Sequence, residues 1–226
     1  MALGRAYRMM VGGMALVAIL GVGCENGDDG DDVPANWTNV VADVDAEDTE
    51  AVADPNFPDG LHPSAAASGV IAATFARQIA PVADVGGNDA NVVVCLGDSI
   101  TARGYPSDLA AKTGLTVVNE GKGGEWSSGG AARVGTVLAQ YRPAYLCVLY
   151  GANDMCGGGA AADVLANLAA IVEAARANQT IPIMATLTPL SGERAEHAAA
   201  ARDLSAAIRA QAGQLGVALA DLEAAF

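Results

Sequence analysis

Three short polar blocks follow three apolar runs of the chain, and together they hold the residues best suited to chemistry. Ser99 lies in the first block, Gly97–Ile100. The second block is Asn119–Gly124, and Asn153 lies in the third, Gly151–Asp154. A serine at a strand-to-turn junction exposes its hydroxyl at the edge of a sheet. Glycines let backbone N–H groups point into a cavity, and an asparagine amide can donate to a developing oxyanion. The blocks therefore predict a serine nucleophile beside an oxyanion site.

These blocks need a scaffold that brings three strand ends together. From Asn91 onward, short apolar runs alternate with helix-like stretches, which predicts a parallel sheet covered by helices on both faces. The predicted strands are Asn91–Leu96, Leu115–Asn119, Ala144–Tyr150, Ile181–Leu187 and Gly216–Leu222, and the predicted helices are Ser127–Gln140, Gly159–Asn178 and Glu193–Leu215. A further helix, Ser64–Ala80, precedes the first strand and ends before Pro81. Active-site loops of such sheets lie at the strand ends.

The composition is that of one globular domain. The 226 residues are 52% hydrophobic and 4% aromatic, enough apolar material for a sizeable core built from small and aliphatic side chains. The formal net charge is −14. A chain without a basic patch cannot displace the counterions of a phosphate backbone. Nucleic acid is therefore excluded as a partner, although the negative charge does not by itself indicate a cationic substrate.

The first residues are typical of an export signal. Two arginines precede an uncharged, mostly apolar run, Met9–Val22, which is short for a bilayer span and suited to a signal peptide. The run leads into Gly21–Cys24, which resembles a lipobox, whose cysteine is lipidated and becomes the new N-terminus. We expect a lipoprotein signal at residues 1–23 and a lipid anchor on Cys24, in the bacterial cell envelope. An ordinary cleaved signal, which leads to secretion, and an uncleaved anchor are the alternatives.

Beyond the signal, the chain divides into a tether and a domain. Residues 24–35 are rich in Gly and Asp and are expected to form a solvated tether, and residues 36–226 form the domain. Cys95 and Cys147 lie inside apolar runs, where cysteine behaves as a small buried hydrophobe. We expect no disulfide among these two and Cys156, and no cysteine spacing is typical of a zinc site.

Together the three polar blocks resemble those of the SGNH/GDSL hydrolase family. Gly97–Ile100 matches the first family block, Gly121 the second and Gly151–Asp154 the third, in order and spacing. The resemblance implies a flavodoxin-like three-layer α/β/α sandwich with a central parallel sheet of about five strands, and it implies that Ser99 is the nucleophile. It also implies an oxyanion hole formed by the backbone N–H groups of Ser99 and Gly121 and by the Asn153 side chain.

The family places its base in a fourth block, Asp-x-x-His, and no such block follows the fifth apolar run here. A serine without a base is a poor nucleophile at neutral pH. Of the two histidines, His197 lies among alanines and charged residues of a predicted helix, and we expect it to be solvated. His62 follows Asp59 by three residues and precedes Pro63, which matches the fourth block. Asp59 would hold His62 Nδ1–H and leave Nε2 to accept the Ser99 proton.

The fourth block therefore stands before the nucleophile, an order that circular permutation would produce. The last helix of the family would then join the first strand through residues 82–91, and exposed loops tolerate such rearrangements. Asn39–Asp45 also has the pattern of a fifth strand and competes with Gly216–Leu222 for that place. Two alternatives stay open: a truncated tandem, and two chains that exchange pieces so that the fourth block of one serves Ser99 of the other.

Permutation within one chain makes geometric predictions. The His62 ring should lie about 2.6–3.2 Å from Ser99 Oγ. Asp59 should lie on the other ring nitrogen, and Phe226 should lie near the residues that precede Asp59.

The expected reaction is hydrolysis of an acyl ester through a Ser-His-Asp triad, with no metal or cofactor. The resemblance implies acetylated carbohydrates, short acyl esters or lipid-type esters as substrates, and the sequence selects neither among them nor among oligomeric states. Trp126, beside the second block, is either a wall of the substrate pocket or a core aromatic. Two rival interpretations keep the same fold: a surface binding protein that has lost catalysis, and an acyltransferase that uses an alcohol in place of water.

Overall fold

The computed structural model describes residues 54–82 and 85–226, together with the backbone of a short antiparallel pairing between Met10–Val11 and Met14–Ala15. Apart from that pairing, the predicted export signal, Cys24, the acidic tether and the competing strand Asn39–Asp45 lie outside the described residues. The chain divides into two units, Met1–Asp48 and Thr49–Phe226. The second unit carries every element described below.

A sheet of five parallel strands forms the centre of this unit. The strands are β1 (Asp89–Gly97), β2 (Thr116–Gly121), β3 (Pro143–Leu149), β4 (Ile181–Ala185) and β5 (Ala218–Ala220), in the order β2-β1-β3-β4-β5. Every residue of β3 is buried, as expected of a central strand covered on both faces. The predicted parallel sheet is confirmed, and the carboxyl ends of β1, β2 and β3 lie side by side at one edge.

Strand β5 is shorter than the predicted strand Gly216–Leu222. Gly216 has a φ of 61° and forms the left-handed end of the preceding helix, so the strand cannot begin there. After Ala220 the chain turns into a short 3-10 helix, Glu223–Ala225. The sheet therefore has a short edge strand on this side.

In the described part of the chain, seven α-helices accompany the sheet: α1 (Ala65–Ala76), α2 (Ser99–Ala102), α3 (Tyr105–Thr113), α4 (Ser127–Tyr141), α5 (Ala152–Cys156), α6 (Ala161–Ala177) and α7 (Ala198–Leu215). The predicted helix Glu193–Leu215 is wrong in its first turn, where Gly192–His197 forms a 3-10 helix instead. The predicted helix Ser64–Ala80 ends early, because the Gln78 and Ile79 N–H groups donate to carbonyls three residues back. The short helices α2, α3 and α5 were not predicted.

Helix α1 lies in the same layer as α3, although α1 precedes β1 in the chain and α3 follows it. The rings of Phe75 and Tyr105 stack with centroids 5.3 Å apart, and both side chains are fully buried. Helices α4, α6 and α7 pack side by side in the other layer. Ser64 begins α1 as its N-cap, where its Oγ accepts the Ala67 N–H at 3.3 Å.

The described cysteines are free thiols. Cys95 of β1 and Cys147 of β3 are buried and stand opposite each other in the sheet register, and Cys156 at the end of α5 is half-buried. Among the described residues, no helix combines the length and the apolar character that a membrane span requires.

Candidate active site

Ser99 is the first residue of α2, directly beyond the carboxyl end of β1. The half-buried serine follows Asp98, whose Oδ1 accepts the Ile100 N–H at 2.9 Å and so caps α2. Gly97 is required here because a Cβ on it would lie 2.1 Å from Thr101 Oγ1 and would force α2 away from the strand. The strand-to-turn junction thus presents the Ser99 hydroxyl at the edge of the sheet.

His62 and Asp59 come from the turn that precedes α1, and they meet Ser99 within one chain. His62 Nε2 lies 2.9 Å from Ser99 Oγ, and His62 Nδ1 lies 2.6 Å from Asp59 Oδ2. These are the separations that permutation within one chain predicts. The imidazole thus lies between the hydroxyl and the carboxylate, within hydrogen-bond distance of both.

Asp59 is held in its turn by backbone donors. Its Oδ1 accepts the His62 N–H at 2.6 Å and the Leu61 N–H at 3.1 Å. Burial alone would raise the pKa of Asp59, but the hydrogen bonds from His62 and Leu61 outweigh it and hold that pKa well below its usual value. Asp59 is therefore a carboxylate throughout the neutral pH range, as a partner for an imidazole must be.

Two contacts fix the turn against the rest of the unit. Gly60, with a φ of 75°, accepts the Ser191 N–H at 3.0 Å, and a Cβ on Gly60 would lie 2.0 Å from the Ser191 carbonyl oxygen. Phe57 is buried and meets Phe226 edge to face with ring centroids 4.9 Å apart. The prediction that Phe226 lies near the residues preceding Asp59 is therefore confirmed.

Gly121 ends β2 beside α2. A Cβ there would lie 2.2 Å from Ala102 N, so only glycine allows this approach of strand and helix. The Gly121 N–H, which the resemblance implies is an oxyanion donor, donates to Asn119 Oδ1 at 2.9 Å. Asn119 Nδ2 in turn donates to the Ala102 carbonyl at 3.3 Å. The second block thus packs against the helix that carries Ser99.

Asn153 lies in α5, which begins after Gly151 at a φ of 125°. Its side-chain Nδ2 donates to Asp98 Oδ2 at 3.2 Å and to the Glu125 carbonyl at 3.2 Å. The amide is thus held beside the residue that precedes Ser99. Burial raises the pKa of Asp98 to about 7, with Asp154 and Glu125 adding to the rise and the Ile100 N–H opposing it.

The other residues that the sequence analysis named, His197 and Trp126, have different surroundings. His197 pairs with Glu196 at 3.2 Å at the end of the 3-10 helix and is half-buried instead of solvated. Trp126 is 42% exposed, and it lines a cavity of about 320 Å³ together with Asp163 and Asn167. No group of three His, Cys, Asp or Glu side chains among the described residues could hold a metal ion.

Sequence reasoning missed the role of Asp154. Its carboxylate accepts the Ser127 hydroxyl at 2.7 Å and the Ser127 N–H at 3.0 Å, and Asn167 donates to the same hydroxyl at 2.9 Å. Asp154 therefore fixes the start of α4. Its place directly after Asn153 in the third block was the available signal.

The fold and the site define a class: a three-layer α/β protein with a serine-centred site at the carboxyl edge of its parallel sheet. Residues 95–226, more than half of the chain, match the family described as "GDSL-like Lipase/Acylhydrolase family". The chain belongs to this family. The matched region includes Ser99, Gly121 and Asn153, whereas the Asp59–His62 turn lies before it.

Similar proteins agree with this assignment. The curated "Esterase TesA" of Pseudomonas aeruginosa PAO1 is 33% identical over 100 residues, which cover 39% of this chain and 50% of that protein. The chain thus spans about half the length of this curated relative.

Solved structures share the fold at lower identity. A lipolytic protein of the G-D-S-L family from Desulfitobacterium hafniense DCB-2 aligns with a TM-score of 0.51 and 21% identity over 58% of this chain and 77% of that one. A GDSL-like lipase from Bacteroides thetaiotaomicron VPI-5482 aligns with a TM-score of 0.52 and 23% identity over 66% and 75% of the two chains. These two likenesses concern the fold alone.

Proposed function

We propose that the protein is a serine ester hydrolase whose nucleophile is Ser99, whose general base is His62 and whose orienting carboxylate is Asp59. The observation that carries the proposal is the 2.9 Å distance between His62 Nε2 and Ser99 Oγ. A hydroxyl, an imidazole and a carboxylate in this order are what activation of a serine requires.

In the first half of the reaction, His62 Nε2 takes the Ser99 proton while Ser99 Oγ attacks the ester carbonyl. Asp59 stabilises the imidazolium through His62 Nδ1–H. The tetrahedral intermediate collapses, the C–O bond to the alcohol breaks, and the alcohol leaves with the proton from His62. Water then attacks the acyl-enzyme with His62 again as base, and the carboxylic acid is released. The scheme requires neither a metal nor a cofactor.

In this proposal three donors form the oxyanion hole: the backbone N–H groups of Ser99 and Gly121 and the Asn153 amide. The first N–H groups of a helix have no acceptor within it, and Ser99 begins α2. Gly121 and Asn153 already have acceptors within the protein. Binding of an oxyanion therefore requires these two donors to share or exchange their acceptors. Such donors stabilise charge that develops only in the transition state.

We further propose that the chain is circularly permuted relative to the family pattern. Two contacts favour this arrangement: α1 packs beside α3, and Phe57 meets Phe226. A rearranged gene that attaches residues 54–82 after Phe226 through a short Gly/Ser linker should still give a folded, active protein. Loss of both folding and activity would contradict the permutation.

Export and lipidation at Cys24 stay a proposal from the sequence. Metabolic labelling with palmitate in a bacterial host should mark the wild-type protein and not Cys24→Ala. Label retained by the variant would disprove Cys24 as the site.

The decisive test is hydrolysis of p-nitrophenyl acetate and longer p-nitrophenyl esters by the full chain and by Ser99→Ala. The variant should lose roughly 10³- to 10⁶-fold in kcat, because members of a triad act as a unit. Ser128→Ala is the matched control, since Ser128 is exposed at the start of α4. Ser128→Ala should keep full activity. Retention of most activity in Ser99→Ala would overturn the proposal.

A further inference from the structure

We infer that Arg133 is a positioning residue of this site, which acts on the Asn153 amide through Glu125. The inference rests on the proposed function, since it concerns how the oxyanion donor is held. Arg133 lies in α4, and its side chain is 13% exposed. A charged side chain buried to this degree needs partners, and the partners of Arg133 lead directly to the proposed oxyanion site.

Arg133 binds two carboxylates. Its Nε and Nη2 donate to Glu125 at 3.0 Å and 2.8 Å, which is the bidentate geometry that makes arginine–carboxylate pairs strong. Its Nη1 donates to Glu120 Oε2 at 2.8 Å, and Nη2 also reaches the Glu120 carbonyl at 2.5 Å. The guanidinium thus links the end of β2 to the loop that precedes α4.

Tyr150 completes this cluster from the end of β3. Its hydroxyl donates to Glu125 Oε2 at 2.5 Å and accepts from Arg133 Nη2 at 3.1 Å. The ring is buried against α4 at Gly130, where a Cβ would lie 2.4 Å from Tyr150 Cε2. Tyr150 directly precedes the third block, so the cluster ties the second block to the third.

The protonation states of Glu125 and Tyr150 favour a rigid cluster. Burial would raise the pKa of Glu125, but hydrogen bonds from Arg133 and Tyr150 outweigh it and lower that pKa below its usual value. Burial raises the pKa of Tyr150, with its hydrogen bond to Glu125 adding to the rise. Glu125 therefore stays a carboxylate and Tyr150 stays a donor across the neutral range.

The connection to catalysis is the backbone carbonyl of Glu125. That carbonyl accepts the Asn153 Nδ2 at 3.2 Å, while the Glu125 side chain is anchored by Arg133 and Tyr150. Movement of the Glu125 backbone would release the amide from its position beside Asp98. Because an oxyanion forms only in the transition state, the loss should appear in kcat with little change in KM.

A double-mutant comparison tests this inference. Arg133→Met should lower kcat for p-nitrophenyl acetate roughly 10- to 100-fold with KM nearly unchanged. In an Asn153→Ala background the same substitution should lower kcat by less than about threefold, because the group that it positions is gone. Arg133→Lys should recover part of the loss, since lysine restores the charge without the bidentate geometry.

Arg209→Met is the matched control. Arg209 is also paired with two carboxylates, Asp221 at 2.7 Å and Glu223 at 2.6 Å, but these pairs do not lead to Asn153. The kcat of Arg209→Met should stay at the wild-type value. Equal falls in kcat for Arg133→Met with and without Asn153 would overturn the inference.

Arg133→Met leaves two carboxylates without their partner, so circular dichroism and thermal unfolding must accompany the kinetics. If that variant does not fold, Tyr150→Phe decides, because it removes only the hydroxyl that binds Glu125. A fall in kcat that disappears in Asn153→Ala supports the inference, and no fall or an unchanged fall contradicts it. Failure of the proposed function itself is distinguishable, since Ser99→Ala would then keep its activity.

Discussion

The site is assembled from two regions that are held in different ways. Ser99 and Asn153 stand at the ends of β1 and β3, where buried parallel strands and close glycine contacts determine the backbone. His62 and Asp59 stand on a turn with local hydrogen bonds, and the Asp59 side chain is 52% exposed. Regular secondary structure thus positions the proposed nucleophile and the proposed oxyanion donor, whereas a turn and its contacts position the proposed base.

This difference explains how the site would tolerate the chain order that we propose. The second region, residues 54–76, contacts the rest of the unit through the Gly60–Ser191 hydrogen bond, the Phe57–Phe226 ring contact and the packing of α1 on α3. None of these contacts depends on where the segment lies along the chain. A base held by such contacts can reach the same hydroxyl from either side of the sequence.

Removal of the proposed base should have the strongest effect. His62→Ala should lower kcat by roughly 10³- to 10⁶-fold, the same loss that we expect for Ser99→Ala. His197→Ala is the control, because His197 pairs with Glu196 and not with Ser99. Steady-state kinetics on p-nitrophenyl acetate measure both.

A mixing experiment then asks whether the two regions belong to one chain. In the structure His62 and Ser99 meet in cis, so a mixture of Ser99→Ala and His62→Ala proteins should stay inactive. Recovered activity would mean that chains exchange the segment that carries the base.

Removal of the proposed oxyanion donor, Asn153, should have the next strongest effect. Asn153→Ala should lower kcat about 10²- to 10³-fold with little change in KM, the loss expected for one oxyanion donor. A large rise in KM with kcat intact would instead make Asn153 a substrate-binding residue.

The two regions should differ in how pH affects their stability, because each contains a carboxyl group whose pKa is shifted in the opposite direction. Asp98 in the first region has its pKa raised from 3.8 to about 7, so the folded protein binds that proton more tightly than the unfolded chain does. Its contribution to stability is therefore lost as pH rises from about 4 to 7. The pKa of Asp59 in the second region is lowered, so the contribution of Asp59 is lost only below pH 3.8.

Urea unfolding at pH 4.5 and pH 7.5 tests the Asp98 shift. Each pKa unit corresponds to about 1.4 kcal/mol, so Asp98 should lower the free energy of unfolding by a few kcal/mol across this range. Asp98→Asn does not titrate and should remove most of that decline. An equal decline in the variant would assign the pH dependence to other groups.

The smallest effect is expected for a change at the Gly60–Ser191 contact, which holds the turn that carries His62. Gly60→Ala places a Cβ against the Ser191 carbonyl at positive φ and should lower the free energy of unfolding by roughly 1–3 kcal/mol. It should also lower kcat, because the turn that carries His62 must shift.

Gly69→Ala is the matched substitution in the same segment. Gly69 lies inside α1 with open space around it, so alanine should stabilise the helix by about 0.5–1 kcal/mol and leave kcat unchanged. If Gly60→Ala behaves like Gly69→Ala, the Ser191 contact does not hold the base.

The sequence predicted the sheet well because its strands are buried on both faces. Runs such as Val92–Leu96 and Pro143–Leu149 are almost wholly apolar, a pattern that few other environments produce. The polar blocks that follow these strands indicated Ser99 and Asn153 as candidate site residues. Local pattern could not predict that Gly192–His197 would form a 3-10 helix, since its composition is compatible with either helix type.

The contacts of Arg133 that support the site could not be predicted from the sequence, for a different reason. Arg133 meets Glu120, Glu125 and Tyr150 only because the ends of β2 and β3 and the start of α4 converge in space. In the sequence Arg133 appears as an ordinary charged residue of an amphipathic helix. The pairing of Asp59 with His62 could be predicted because both residues lie in one turn.

Among the described residues, the burial of two of the three thiols favours site-selective labelling at the third. Reagents cannot reach Cys95 or Cys147, whereas Cys156 is partly accessible and lies three residues after Asn153 in α5. Burial raises the pKa of the Cys156 thiol, so a maleimide dye should attach slowly at neutral pH and faster in mild alkali. A fluorophore at this position would lie three residues from Asn153 in α5, and the dye would leave Ser99 unmodified.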